Sequence, residues 1–235
     1  MGSDKANLLL DGQSLLQRVT VTMKKLFPKV LLSVRQPRPE IDLPQIRDDP
    51  SCAGPLAGLA SGLAVADTAW VFAVGCDMPF IKPEVVELLG GYRFKAHLLL
   101  NQLPEPSAFL PPSRGKGRKG VEPGNDSAST PSLSLPLQGG GDSLSNGLSG
   151  LMCQAVVPVV QGYPQPLAAF YARSCLDAIR THLDSGGKNS LQAILKKLEV
   201  CYVEESQIQS ADPCLRSFLD LDTPQDLAAA LRGVN

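Results

Sequence analysis

Along residues 14–26 the run SLLQRVTVTMKKL repeats its apolar positions every three or four residues, which places one stripe on one face of a helix; Asp11-Gly12 before it reads as a turn. The run KVLLSV after Pro28 lacks that period, and a short β-branched apolar stretch of this kind fits a strand buried on both faces. Next, IRDDPSCAGPLAGLASGLAVA passes from turn residues into a helix rich in small side chains, and WVFAVGCDMPF is a second buried strand ending in a carboxylate. KPEVVELLGGY predicts a helix with Pro83 in its first turn, where a missing amide proton costs nothing, and a stop at Gly90-Gly91.

The same alternation resumes after residue 150. AVVPVV, the turn QGYPQ and PLAAFY predict two strands in a hairpin or as neighbours. CLDAIRTHLDSGG is a helix closed by glycines, SLQAILKKL is another with Ser190 as N-cap, and VCYVEE is a strand. In FLDLDTPQDLAAALR a short strand leads to Asp222 or Thr223 capping a last helix, with Pro224 in its first turn and Asp226 near its positive end. Helices alternating with buried strands predict an α/β fold of three layers, with a mostly parallel sheet between helices and a ligand site at the carboxyl ends of the strands.

Residues 103–150 break the pattern. Their Pro, Gly and Ser mixture cannot bury enough surface to offset the entropy of ordering it, so they read as a disordered insertion, and the basic group Arg114, Lys116, Arg118 and Lys119 reads as part of a solvated linker. Residues 1–102 and 151–235 then read as two parts of one domain. With 22 Lys and Arg against 23 Asp and Glu, no basic field recruits nucleic acid or anionic membrane. Six scattered cysteines, with no Cys-x-x-Cys pair and only His97 and His182 as imidazoles, read as reduced thiols. With no signal-peptide pattern and no apolar run of about 18 residues, the chain reads as cytoplasmic.

Asp77 is the sharpest candidate for chemistry, because it follows an apolar strand where that strand emerges at the ligand edge. Magnesium takes one or two carboxylates plus phosphate oxygens, which suits a lone strand-end Asp; capping of the next helix is the competing role. In GPLAG, Gly54, Pro55 and Leu56 open a helix where backbone can approach a ligand, although tight packing of helix on sheet explains the same small residues. Asp48 and Asp49 lie upstream in a loop, as base or ribose acceptors or as a turn-forming pair. Asp220 and Asp222 share one face of a strand and could widen an acidic site, with capping by Asp222 the alternative.

Taken in order, MGSDK, the first helix and strand, the Asp-rich loop to GPLAG, the strand to CDMPF, VVPVVQGYPQPLAAFY and the terminal LDLDTPQDL resemble the molybdenum cofactor guanylyltransferases, within the wider Rossmann-like nucleotidyltransferases. The resemblance covers everything except the insertion. It implies that Lys5 contacts nucleotide phosphates, that Asp77 holds Mg2+, and that Asp48 or Asp49 faces guanine beside Gly54, Pro55 and Leu56. Gln165, in the polar QGYPQP loop, would face molybdopterin, and Asp220 and Asp222 stand where the family often has Asn. The implied reaction is attack by the terminal phosphate of molybdopterin on the α-phosphorus of GTP. Proteins of molybdenum insertion or molybdoenzyme maturation are the implied partners.

The family loop reads Leu-Ala-Gly-Gly-x-Ser-x-Arg-Met-Gly-x-Asp-Lys, and Met1, Gly2, Asp4 and Lys5 match its last part. The resemblance therefore implies a reading frame that starts upstream, restoring a first, central strand. The alternatives are a truncated paralogue that binds a partner without catalysis, and a related transferase that uses CTP or another acceptor.

Overall fold

The computed structural model describes residues 8–48, 54–100, 153–186 and 190–219. Strands β1 (Leu9–Leu10) and β2 (Gln13–Ser14) form a hairpin around Asp11-Gly12, both with positive φ (50° and 79°), the turn whose twist matches antiparallel strands. Helix α1 (Leu15–Leu26) starts at a reciprocal cap: the Gln17 amide donates to Ser14 Oγ at 3.1 Å, and the Ser14 amide donates to Gln17 Oε1 at 2.9 Å. Arg18 ties helix to hairpin by donating twice to the Leu10 carbonyl (3.1 and 3.0 Å) and pairing with Asp11 at 2.8 Å.

Strands β3 (Leu32–Val34) and β4 (Gln45–Arg47) pair in parallel, and α2 (Pro55–Val65) packs beside them. Gly58 permits that approach, because a Cβ there would run into the Ser33 hydroxyl. Strand β5 (Trp70–Val74) leads to α3 (Pro83–Leu100). This helix passes through Gly90-Gly91 rather than stopping there. Each glycine costs about 1 kcal/mol relative to Ala, but Val85, Val86 and Leu89 bury themselves on the sheet.

The main sheet joins β5 to β6 (Ala155–Val160), β7 (Tyr163–Pro164), β8 (Ala168–Ala172) and β9 (Val200–Val203), in the order β5-β8-β6-β7 with β9 beside β6. Ala155, Val157, Ala169 and Tyr171 bury one face against α2, α4 (Cys175–Asp184) and α5 (Leu191–Leu195). Val156, Ala168, Phe170 and Val203 bury the other against α1, α3 and the short α6 (Glu205–Ile208). Strands buried on both sides explain why AVVPVV and AAFYA are apolar at every position rather than at alternate ones.

The three α/β layers are as expected, but the sheet is not mostly parallel among the described residues. The pairs β3–β4 and β6–β9 are parallel, whereas β1–β2, β5–β8, β6–β7 and β6–β8 are antiparallel. The cause is the hairpin at Gln161-Gly162, which folds β8 back along β6 and so lays it antiparallel against β5. Apolar composition reports burial on two faces and is blind to direction.

The ladder to β8 uses the Ala69 carbonyl (from Arg173 N, 2.8 Å) and the Gly75 amide (to Leu167 O, 2.9 Å), so the backbone of Trp70, Phe72 and Val74 faces the opposite edge. That edge has no ladder partner among the described residues. None of the described cysteines is in a disulfide, and no described helix is long and apolar enough to cross a membrane.

Candidate active site

A cleft of about 450 Å³ opens at the carboxyl end of β5. Its lining comes from five places: Pro55 at the start of α2, Asp77 and Met78 after β5, Gln165, Pro166 and Leu167 before β8, Ser190, Leu191 and Gln192 at the start of α5, and Phe218. The antiparallel register brings the second and third together, because Val74 faces Ala168 and the residues that follow one strand abut those that precede the other. The volume lies within the range of small-molecule sites, and the lining mixes apolar side chains with a few polar groups, as such sites do.

Asp77 reaches the cleft through a tight turn in which Met78 N donates to the Gly75 carbonyl at 3.3 Å. Gly75 leaves room for the carboxylate in this position, because a Cβ there would run into Asp77 Oδ1 and turn it away. The opposite wall is held by Tyr171, fully buried, whose hydroxyl donates to the Pro166 carbonyl at 2.9 Å. Burial pushes the Tyr171 phenol well above its ordinary range, so this group stays a neutral donor. The Gln165 backbone is fixed from both sides: its main-chain N–H donates to Pro158 O at 2.8 Å, and its main-chain carbonyl accepts from Ala168 N at 3.1 Å. Ser190 caps α5 by accepting from Ala193 N at 3.4 Å.

The Met78 and Phe218 wall rests on charge. Asp212, with no solvent exposure, pairs through Oδ1 with Lys82 Nζ at 2.9 Å and accepts from Ser217 N through Oδ2 at 2.7 Å. Lys82 N in turn donates to Ser217 Oγ at 3.0 Å. Burial by itself would push the Asp212 carboxyl up, but Lys82 and Ser217 outweigh it and hold it below the usual carboxylate range.

Asp77 is the sole carboxylate among the cleft-lining residues, and no cluster of three or more His, Cys, Asp or Glu gathers among the described residues. A hard divalent cation would therefore find one protein carboxylate here and would complete its shell with substrate oxygens and water, an arrangement such ions accept.

Residues 1–96 match the sequence profile of the MobA-like NTP transferase domain. Over that stretch the chain is similar to this domain. A molybdenum cofactor guanylyltransferase from Desulfosudis oleivorans is 24% identical over 231 residues, spanning 97% of this chain and 86% of the relative. Among solved structures, the molybdopterin-guanine dinucleotide biosynthesis protein A of Archaeoglobus fulgidus aligns with TM-score 0.62 at 22% identity, covering 97% of this chain and 89% of its own. The 2-C-methyl-D-erythritol 4-phosphate cytidylyltransferase of Thermus thermophilus aligns with TM-score 0.52 at 15% identity, over 97% and 92%. Both share an α/β, Rossmann-like fold with this chain.

The structure brings Asp77, Pro55 and Gln165, all expected at the site, to one cleft. Gly54 sits at the α2 N-cap with φ 96°, a backbone conformation natural to glycine. Leu56 is different: its side chain is fully buried in the core below α2 and offers a ligand nothing beyond backbone. Asp48 accepts a hydrogen bond from the Ser33 hydroxyl and is not among the cleft-lining residues. Lys5, Asp49, Asp220 and Asp222 lie outside the described residues, as does the whole of 103–150. Sequence reading passed over Met78, Pro166, Leu167, Leu191, Gln192 and Phe218 as ligand-facing. The one available signal was Ser190, an N-cap whose helix start had to lie somewhere near a strand end.

Proposed function

We propose that this MobA-like protein is a molybdenum cofactor guanylyltransferase, which transfers GMP from GTP to the terminal phosphate of molybdopterin with release of pyrophosphate. The observation that carries the reading is the position of Asp77: a carboxylate held by a glycine turn at the end of β5, facing Gln165 across a cleft sized for small molecules. The names of the relatives supply the substrates; the cleft supplies a place for them.

In this reading Asp77 holds Mg2+, which when bound neutralises triphosphate charge. Lys5 adds a second positive contact to the phosphates, and Asp48 or Asp49, beside Gly54, Pro55 and the Leu56 backbone, faces the base. Gln165 hydrogen-bonds the pterin side, and Asp220 and Asp222 serve substrate binding. Alignment of the attacking phosphate with the α-phosphorus and neutralisation of developing charge are sufficient catalysis for such a displacement, with no covalent enzyme intermediate. Residues 103–150 serve as an insertion outside the chemistry, and the protein works in the cytoplasm, handing its product to molybdoenzyme maturation proteins.

The test is incubation with molybdopterin, Mg2+ and either GTP or CTP, following pyrophosphate and the dinucleotide product. GTP-dependent product that Asp77→Ala abolishes supports the reading. Product from CTP alone replaces guanine with cytosine, and undiminished turnover in Asp77→Ala removes that residue from the site.

A further inference from the structure

Among the described residues Asp212 is the only carboxylate shut away from solvent. A buried charge is costly unless matched, and an apolar pair of similar volume serves stability at least as well. What an apolar pair cannot do is set direction. Asp212 binds Lys82 through one oxygen and the Ser217 amide through the other, and Ser217, also fully buried, accepts from the Lys82 amide. Lys82 is thus held at its ammonium and at its backbone by one neighbouring segment. The segments joined in this way are the two that reach the cleft on this side. Lys82 ends the loop that carries Asp77 and Met78, in which Ile81 N donates to Met78 O at 3.2 Å, and Ser217 adjoins Phe218.

Two further details describe the 212–218 turn and its link to the Asp77 loop. Leu215 adopts φ 52°, a left-handed conformation that a branched side chain resists, and its amide donates to the Asp212 carbonyl at 2.9 Å. Next to it the Arg216 guanidinium stands 5.4 Å from the Phe80 ring centroid, a second bond between the same two segments.

We propose that Asp212 is a positioning residue: with Lys82 and Ser217 it forms a buried charge clamp that fixes the Asp77–Met78 loop against Phe218, and so sets where the Asp77 carboxylate stands in the cleft. The clamp touches no substrate. The catalytic consequence rests on the reading of Asp77 given above, whereas the clamp itself can be tested without any substrate.

The experiment places [13C-methyl]methionine in the wild type, Asp212→Asn, Lys82→Met, Lys82→Arg and the double variant Lys82→Met/Asp212→Asn, which leaves no charge buried and guards against simple unfolding. Met78 lines the cleft and Met23 lies on α1 in the same core, so their methyl resonances are probe and control. The clamp predicts that the Met78 resonance moves in Asp212→Asn, Lys82→Met and the double variant while Met23 stays, and that Lys82→Arg restores Met78. In turnover it predicts a kcat at least tenfold lower with KM for the triphosphate changed less than threefold, recovered by Lys82→Arg. An unmoved Met78, or Met78 and Met23 moving together, overturns the clamp in favour of a purely structural ion pair. Absence of turnover in the wild type would sink the guanylyltransfer reading and leave the methyl readout to decide the clamp.

Discussion

On one side of the cleft the turn at Gln165–Leu167 hangs from a neutral hydrogen bond, Tyr171 to the Pro166 carbonyl, inside an apolar core. On the other, Met78 and Phe218 stand on segments joined through the buried charge of Asp212. Both walls are rigid, but they answer to different conditions. A neutral wall ignores pH and loses one hydrogen bond when cut. A charged wall fails with acid, and it fails asymmetrically when one partner is removed, because only one of the two can escape to water. Lys82 is about a third exposed (37%) and can turn outward, whereas Asp212 at 0% cannot.

The largest expected effect follows from that asymmetry. Lys82→Met strands a buried carboxylate and is expected to cost about 3 kcal/mol, whereas Asp212→Asn leaves a lysine able to reach solvent and costs about 1–2 kcal/mol. Urea unfolding checks the order; equal losses would mean that solvent already screens Asp212. Acid probes the same wall. Because the folded carboxyl is held below its ordinary value, its stabilisation is complete above the unfolded pKa and drains away as pH falls through the folded one, below about pH 4. The double variant Lys82→Met/Asp212→Asn should flatten thermal stability over that interval, and an unchanged acid slope would place the sensitivity elsewhere.

Gly75→Ala comes next and crosses from stability to function. The new methyl displaces Asp77, so turnover should fall at least tenfold while the melting temperature moves by only a few degrees. Normal turnover would show that the turn has slack. On the neutral wall, Tyr171→Phe should cost about 1 kcal/mol at any pH between about 3 and 8, since it removes one donor from a buried carbonyl and no charge. A pH-dependent loss would break the contrast between the walls. The smallest effect belongs to Asp67→Asn, which removes a fully exposed pair with Lys29 (2.9 Å) and should leave thermal melting unchanged at physiological salt.

Legibility of the sequence divides along the same line between local and distant causes. The start of α1 was readable from the three-and-four spacing of its apolar residues after the Asp11-Gly12 turn, and Asp77 was readable as a strand-end carboxylate at the ligand edge, with helix capping an equal competitor for its role. The layers were readable from strands apolar at every position. Strand direction was not, since WVFAV and AAFYA look alike whether neighbours run with them or against them. The run of α3 through Gly90-Gly91 was hidden, because its compensation comes from the packing of Val85, Val86 and Leu89 on strands far along the chain. Asp212 was invisible for a stronger reason: in SADPC it reads as a turn residue in water, and only Lys82, far back in the chain, gives it a reason to be buried.

The border of β5 that no described strand pairs has a practical corollary. Trp70, the chain's lone tryptophan, begins that strand and sits half-buried. Its emission wavelength is therefore a built-in hydration gauge for one seam of the sheet, readable without labels. A blue shift on concentrating the sample would report that something had zipped onto those amides.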